Sequence, residues 1–159
     1  MILNFKSFNE SMNKPRVAAG IAIKYLDLIL LVHSTNSSWH KNNLSIPKGK
    51  IEEGEDPLEA AIREMREETG IIIRPDQISN QLDLSPMESY KYDDSGKLTG
   101  QLIYFNMLIQ DLSEIDLIDL KVPKSQLQLE EVDWAGFVPI RDAYGMIHRS
   151  QMIILDRLS

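Results

Sequence analysis

The segment GKIEEGEDPLEAAIREMREETGI, residues 49–71, decides the fold, because it joins an acidic, glycine-containing turn to a strongly patterned helix. Asp56 stands where a helix N-cap is preferred, and Pro57 follows it at the first helical position. Gly70 supplies a stop after the last turn. The segment therefore predicts a helix over 57–69 with a defined start and a defined end.

This predicted helix has two faces of different character. Its apolar positions fall within one narrow stripe, at about 100° per residue, and predict the face that packs on the core: Leu58, Ala61, Ile62 and Met65. Glu64, Glu67 and Glu68 share a second face at i, i+3 and i+4 spacing. At about 6 Å and an effective dielectric of about 20, each pair of ionised carboxylates costs roughly 3 kcal/mol. A hard divalent cation such as Mg²⁺ would remove that repulsion, because it takes oxygen ligands; the alternative is an acidic face in contact with solvent.

The spacing of residues 49–71 resembles the Nudix hydrolase signature at every constrained position. Gly49 is followed after five residues by Glu55, and after seven more by an Arg-Glu pair and an aliphatic residue. A Glu-Glu pair and a glycine followed by an aliphatic residue complete the pattern. Seven identities at an average usage of roughly one in fifteen give a chance match on the order of 10⁻⁸ per starting position. The resemblance is therefore specific in the signature, whereas the flanking segments resemble the family more weakly.

The resemblance implies an α+β fold of the Nudix type, which is an α/β/α sandwich with a mixed central sheet. It also implies hydrolysis of a pyrophosphate bond in a nucleoside diphosphate linked to another moiety, with Mg²⁺ or Mn²⁺ as the cofactor. Carried onto this chain, it assigns the metal ligands to three side chains and one backbone carbonyl: Glu64, Glu67, Glu68 and Lys48. Arg63 would orient these carboxylates, and Glu55 would anchor the loop before the helix.

The general base stays open within this resemblance. In the family it comes from the signature helix or from a glutamate on a later loop, so Glu64, Glu130 and Glu131 are candidates. For the later two, the alternative is a solvated surface pair. The catalytic residues that follow from the resemblance are Arg63, Glu64, Glu67 and Glu131.

The substrate-binding residues are expected in the stretch IPKGK, residues 46–50. Gly49 permits close backbone approach, while Lys48 and Lys50 offer countercharge to a polyphosphate. The PKG tripeptide at the start of the signature resembles the diadenosine polyphosphate hydrolase branch of the family. Tyr90 is a further substrate-binding candidate, because dinucleotide-cleaving members often carry a tyrosine in this region.

Other markers favour a different substrate. Pro86 lies about fifteen residues beyond the signature, where the family's ADP-ribose hydrolases carry a proline. The structural alternatives are an edge-strand or turn proline, and half-buried strand residues for Tyr90 and Tyr92. The resemblance leaves open a diadenosine polyphosphate, ADP-ribose or nucleotide-sugar hydrolase, as well as a Nudix-fold binding module without turnover.

Composition limits the classes of partner. The chain of 159 residues has a net charge of -7, so its surface should repel nucleic acid, except for a 5′ phosphorylated end held by a local basic patch. It contains no cysteine, which excludes thiol catalysis and thiolate metal sites and fits a reducing compartment. Because it shows no basic leader or long apolar stretch, we expect a cytoplasmic protein without membrane contact that acts on a small nucleotide. The sequence indicates no oligomeric state.

The remaining segments predict one domain over 15–159, preceded by a polar arm over 1–14. Two buried strands flank the tetrapeptide KYLD at 24–27, and a hairpin surrounds DDSG at 93–96. The stretch VDWAGFVPI at 132–140 predicts a last strand. Strands interrupted by one strong helix and closed by another indicate a mixed sheet with helices on its faces.

Three further features outside the signature carry predictions. Apolar positions across 141–158 are spaced for a terminal helix: Ala143, Met146, Ile147, Ile154, Leu155 and Leu158. The acidic stretch 111–119 has no clear period. His33 is expected to be a packing residue at a strand end, and Trp39 either stacks on a base or anchors its loop. Trp134 is expected in the core.

Overall fold

The computed structural model describes residues 15–79 and 86–159, so the arm predicted over 1–14 lies outside the described residues. The strands are β1 (Arg16–Tyr25), β2 (Leu28–Ser34), β3 (Leu44–Ser45), β4 (Lys48–Lys50), β5 (Met87–Tyr92), β6 (Leu98–Ile109) and β7 (Val132–Pro139). The α-helices are α1 (Pro57–Thr69), α2 (Pro75–Ser79), α3 (Ile140–Ala143) and α4 (Met152–Leu158). Short 3-10 helices cover Leu112–Ile115, Lys124–Gln126 and Arg149–Gln151.

The strands form one mixed sheet. Its main order is β3-β2-β1-β6-β5, with β4 paired to β1 and β7 paired to β2. β1 and β6 run parallel, from Arg16 opposite Gly100 to Tyr25 opposite Ile109. The other strand pairs are antiparallel. The two predicted strands around KYLD, the hairpin around DDSG and the last strand are all confirmed.

Helices cover both faces of this sheet. Because side chains alternate along a strand, Ile21 of β1 packs in one core cluster with Ala61 and Met65 of α1. Its neighbour Ala22 packs in a second cluster with Leu155 of α4. The predicted α+β sandwich with a mixed central sheet is therefore confirmed.

Helix α1 begins and ends as its sequence predicts. The side chain of Asp56 accepts a hydrogen bond of 2.9 Å from the Glu59 N–H. At the other end, Gly70 adopts a φ of 73°, a conformation that costs a residue with a Cβ more than it costs glycine. Ala61 and Met65 are fully buried, while Leu58 and Ile62 are partly buried against the same cluster.

The single terminal helix predicted over 141–158 is wrong. The chain instead forms α3, a turn, a 3-10 helix and α4. The N–H of Leu44 donates to the Met146 carbonyl at 2.9 Å, and the His148 N–H donates to the Leu44 carbonyl at 2.8 Å. A continuous helix needs those backbone groups for its own bonds, so pairing with β3 interrupts it. Ile147 is buried at this break, whereas Met146 is 38% exposed.

The acidic stretch 111–119, which has no clear sequence period, contains one of the 3-10 helices. Asp111 caps it, and Glu114 completes a reciprocal capping box. Its charges are therefore used in a local turn and not in a longer element. Among the described residues, no helix combines the length and the apolar character needed to cross a membrane.

Candidate active site

Strand β4 separates two differently charged surfaces. It pairs with β1 so that Lys48 lies opposite Gly20, Gly49 opposite Ala19 and Lys50 opposite Ala18. Paired residues project to the same face of a sheet. Gly49 therefore faces α1, and the side chains of Lys48 and Lys50 project from the opposite face.

The Glu64 side chain of α1 packs against the backbone of β4 at Gly49. A Cβ built on Gly49 would lie 2.0 to 2.3 Å from the three carboxylate atoms of Glu64. Real Cβ atoms do not approach other heavy atoms this closely. Glycine at this position therefore makes room for the Glu64 carboxylate against the backbone of β4.

Arg63 joins the loop, the helix and the strand. Its Nε donates to Glu55 Oε2 at 2.8 Å, and its Nη1 donates to Glu64 Oε1 at 2.8 Å and to Glu67 Oε2 at 3.0 Å. Its Nη2 donates to the Lys50 carbonyl at 2.9 Å. The hydrogen bond from Arg63 is the main reason that the pKa of Glu55 is lowered to about 2. Arg63 thus fixes the position of two helix carboxylates relative to β4.

Glu68 is the most deeply placed carboxylate of α1. Its Oε1 accepts a hydrogen bond of 2.8 Å from the backbone N–H of Lys48. Burial raises the pKa of Glu68 to about 8, and burial also raises the pKa of Glu64. The backbone groups of Pro47 and Ile51 bond to β1, so those of Lys48, on the alternate side of the strand, face away from β1. The Lys48 carbonyl and the Glu68 carboxylate therefore lie at the same strand edge.

Of the two later glutamates, Glu131 is the one near this site. Its charge adds to the raised pKa of both Glu64 and Glu68, after the larger effect of burial. No such effect of Glu130 is found within the part of the chain that the structure describes. Proximity to the helix carboxylates therefore favours Glu131 over Glu130 as a later-loop base.

The three helix glutamates do not form a ready ligand group. Within residues 15–79 and 86–159, no three His, Asp or Glu side chains are grouped to hold a metal ion. Arg63 holds Glu64 and Glu67, whose side chain is 41% exposed, while the Lys48 backbone holds Glu68. The chemistry of the donors nevertheless fits a hard cation, because the partly buried carboxylates of Glu64 and Glu68 lie near a backbone carbonyl. The metal assignment stays a prediction.

The helix α1 and the strand β4 lie within a segment that matches a known family. A model of the NUDIX domain matches residues 14–152. The chain belongs to the NUDIX domain family. The predicted family and fold class are thereby confirmed.

Individual relatives match different shares of the chain. It is 41% identical over 64 residues to the methanol dehydrogenase activator of Bacillus methanolicus, covering 40% of this chain and 35% of that protein. It is 38% identical over 60 residues to an 8-oxo-dGTP diphosphatase of Escherichia coli, covering 38% of this chain and 46% of that protein. The chain thus matches less than half the length of these curated relatives. A crystal structure of a C. elegans Ap4A hydrolase binary complex matches with a TM-score of 0.60 and 25% identity, covering 89% of this chain and 93% of that chain.

A cleft of about 1200 Å³ lies beside β4 in this Nudix fold. Its cationic lining residues come from β1, β4 and β5: Arg16, Lys48, Lys50 and Lys91. None of the described residues in its lining is Asp or Glu. Burial, followed by the charges of Lys91 and Lys48, lowers the pKa of the nearby His148. The cleft is therefore a positive region on a protein whose net charge is -7.

The cleft contains both predicted and unpredicted residues. Four residues that the sequence assigns to substrate binding line it: Lys48, Gly49, Lys50 and Tyr90. The Tyr90 hydroxyl bonds to the Glu88 carboxylate. Sequence reasoning missed Arg16 and Lys91. Lys91 adjoins Tyr90, so its place on the hairpin was the one available signal. Arg16 carries none, because only the parallel pairing of β1 with β6 brings it to this cleft.

The wall of the cleft supports β4. Gln151 is buried and lines the cleft, and its Oε1 accepts from the Ile46 N–H at 3.0 Å. Its Nε2 donates to Ser45 Oγ at 2.9 Å. The break in the predicted terminal helix thus brings Gln151 against the residues that lead into β4. Pro86 is exposed and directly precedes edge strand β5, as expected for the structural alternative.

Proposed function

We propose that this Nudix protein is a divalent-cation-dependent pyrophosphohydrolase that cleaves dinucleoside polyphosphates. The observation that carries the proposal is the pairing of an acidic helix face with a cationic cleft across β4. A partly buried acidic face suits a cation, and a cleft lined by four cationic side chains suits several phosphates. The PKG tripeptide and the similarity to an Ap4A hydrolase support this substrate class.

The cleft side of the site would bind the substrate. Lys50 and Lys91 would supply countercharge to a phosphate chain, and Tyr90 would offer its ring to a nucleoside. A volume of about 1200 Å³ leaves room for more than a single mononucleotide. The resulting specificity would favour substrates with a longer phosphate chain, because each further phosphate adds charge opposite the same cations.

The acidic side would hold the cation. Glu64, Glu67, Glu68 and the Lys48 carbonyl would bind it, and Mg²⁺ or Mn²⁺ both accept such oxygen ligands. When bound, a divalent cation polarises phosphoryl oxygens and lowers the pKa of a water. Arg63 would keep Glu64 and Glu67 oriented, through the hydrogen bonds of 2.8 and 3.0 Å described above.

Glu131 would act as the general base. A water oxygen attacks phosphorus, the water proton passes to the Glu131 carboxylate, and the bond from phosphorus to the bridging oxygen breaks. The leaving phosphate keeps the bond's electron pair as a stable anion. The charge of Glu131 reaches Glu64 and Glu68, which supports its place beside the reacting group.

The experiment is a turnover assay with Mg²⁺ on a panel of substrates. It compares diadenosine polyphosphates with ADP-ribose, nucleotide sugars, dinucleotide cofactors, nucleoside triphosphates and 5′-triphosphorylated RNA. We expect the highest kcat/KM on a diadenosine polyphosphate, and we expect Glu67→Gln to lower kcat by about 10³-fold. Glu59→Gln is the matched control, because Glu59 is exposed at the other end of the same helix.

The outcomes separate the alternatives. Preference for ADP-ribose or a nucleotide sugar would retain the hydrolase and replace the substrate class. Failure to turn over any member of the panel, with a folded protein, would identify a Nudix-fold binding module. Near-native activity of Glu67→Gln would contradict the role given to Glu67.

A further inference from the structure

The His33 cluster consists of His33, Ser37, Trp39, Asp133 and Trp134, at the ends of β2 and β7. His33 is only 1% exposed, and the proposed hydrolysis makes no use of it. Its Nδ1 lies 2.7 Å from Asp133 Oδ1, and its Nε2 lies 3.1 Å from Ser37 Oγ. A buried titratable ring with a partner at each nitrogen is fixed in direction.

Trp39 stacks on the same ring and is itself supported by Trp134. Trp39 stacks on His33 with a centroid distance of 3.7 Å and an interplanar angle of 9°, and Trp134 meets the Trp39 ring edge-on. The packing role predicted for His33 and the loop-anchoring alternative for Trp39 are both observed. Trp134 is partly buried against the second core cluster. The imidazole therefore cannot turn without disturbing this stack.

Asp133 occupies an irregularity in the sheet. His33 pairs with Trp134, and the next residue, Ser34, pairs with Val132. Asp133 is thus the extra residue of a β-bulge. A bulge re-aims the side chains that precede and follow it, because the period of the strand shifts by one residue. The bond between Asp133 and His33 holds this bulge in place.

The chain entering the bulge is tethered to β2 as well. The Thr35 N–H donates to the Glu131 carbonyl at 2.9 Å, and Thr35 Oγ1 donates to the Leu129 carbonyl at 2.9 Å. Glu131 stands two residues before Asp133, and its charge acts on Glu64 and Glu68. The segment that carries Glu131 is therefore bound to the end of β2 on both sides of that residue.

We propose that His33 and Asp133 are positioning residues that direct Glu131 toward the carboxylates of α1. The pair locks the bulge, the bulge sets the direction of the preceding chain, and the Thr35 bonds fix its distance. The effect on turnover rests on the proposed function, in which Glu131 is the base. Neither His33 nor Asp133 contacts the substrate in this mechanism.

The test uses the full chain with Asp133→Asn, which keeps the side-chain shape and removes the charge. We expect kcat to fall about tenfold with KM changed less than about twofold, as for outer residues that orient a catalytic group. In a Glu131→Gln background, Asp133→Asn should cause no further loss, because the group that it positions is absent. Asp142→Asn is the matched control, since Asp142 is an exposed aspartate outside this site.

A readout without substrate tests the tether itself. Amide hydrogen exchange at Thr35 reports on its bond to the Glu131 carbonyl. We expect Asp133→Asn to speed this exchange by about tenfold, and Asp142→Asn to leave it unchanged. Thermal unfolding of each variant separates this local release from a global loss of stability, which would speed exchange in both strands of the β2–β7 pair equally.

The results distinguish the two proposals. Wild-type turnover together with full activity of Glu131→Gln would overturn the positioning role while leaving the hydrolase intact. An equal loss of kcat from Asp133→Asn with and without Glu131 would also overturn it. If wild-type protein turns over no substrate, the proposed function fails, and unchanged Thr35 exchange in Asp133→Asn would then overturn the tether independently.

Discussion

The two surfaces beside β4 differ in charge, in burial and in the ligand that each suits. On the α1 side, Glu64 and Glu68 are carboxylates whose pKa values are raised by burial. On the cleft side, Lys48 and Lys50 project among other cations, with no Asp or Glu among the described lining residues. One three-residue strand separates them. The alternation of side chains along a strand thus places Lys48 and Lys50 on one face of the sheet and the carboxylates of α1 on the other.

The net charge of the chain does not indicate which ligand this site binds. An overall charge of -7 predicts repulsion of polyanions on average. Four acidic residues of α1 and its loop are, however, engaged with Arg63 or with a backbone N–H: Glu55, Glu64, Glu67 and Glu68. The cationic cleft remains open to an anionic ligand. Local arrangement therefore decides the partner, and the average charge does not.

Among variants that change the boundary between the two surfaces, Gly49→Ala should have the largest effect. A Cβ there would overlap the Glu64 carboxylate, so Gly49→Ala must displace it. We expect kcat to fall by about 100-fold, because a misplacement of about 1 Å in a catalytic group costs a factor of this size. Steady-state kinetics measures the change. Gly145→Ala is the matched control, since its nearest neighbour atom would lie 3.7 Å from the new Cβ; equal kinetics for the two variants would contradict the close packing of Glu64.

The next effect concerns the pH dependence of stability that Glu68 causes. The pKa of Glu68 is raised by burial to about 8 from an ordinary value of 4.5. Between these two pH values, Glu68 is more protonated in the folded protein than in the unfolded protein. The stability that Glu68 contributes is therefore full below about pH 4.5 and is lost as the pH rises toward 8. At no more than about 1.4 kcal/mol per pH unit, and allowing for relaxation around the site, we expect a loss of about 2 kcal/mol between pH 5 and pH 8.

Urea unfolding at the two pH values measures this loss. Glu68→Gln should flatten the dependence, whereas Glu59→Gln should keep the wild-type slope. Added Mg²⁺ should raise the free energy of unfolding more at pH 8 than at pH 5, because the cation binds the ionised carboxylate. The same dependence on pH in the wild type and in Glu68→Gln, without the cation, would contradict the raised pKa of Glu68.

The smallest expected effect concerns the cationic cleft. Lys91 is exposed in the cleft lining, so its pairing with a phosphate is screened by water and is worth about 1 kcal/mol. We expect Lys91→Met to raise KM by about fivefold with little change in kcat, and to reduce the salt dependence of KM. Lys97→Met, on the same hairpin but outside the lining, should match the wild type. A change in kcat without a change in KM would contradict a binding role and would assign Lys91 to the chemical step.

Local features of the sequence predicted the acidic side well. The start and end of α1, its buried stripe and the Arg63–Glu67 contact all depend on residues within one or two turns of each other. Helix periodicity and capping act over that same range. The family signature extended the prediction to Glu55, which does bind Arg63. The metal-ligand role of the three glutamates stays a prediction, and in the structure Arg63 and the Lys48 N–H bond to their oxygens.

The cleft side and the later loop could not be predicted in the same way. Arg16 reaches the cleft through the parallel pairing of β1 with β6, which no local pattern encodes, whereas Lys91 reaches it on the β5–β6 hairpin. The helix predicted over 141–158 failed for a related reason, because β3 competes for its backbone groups.

The sequence alone determined the signature helix, its caps and the family of this protein, since those depend on neighbours a few residues apart. Only the tertiary structure decided which later glutamate lies beside the helix and which cations meet in the cleft. His33 and Asp133 are separated by 100 residues in the chain, but His33 Nδ1 lies 2.7 Å from Asp133 Oδ1. Contacts of that kind arise from sheet register, which is set by the packing of the whole core and not by any short segment.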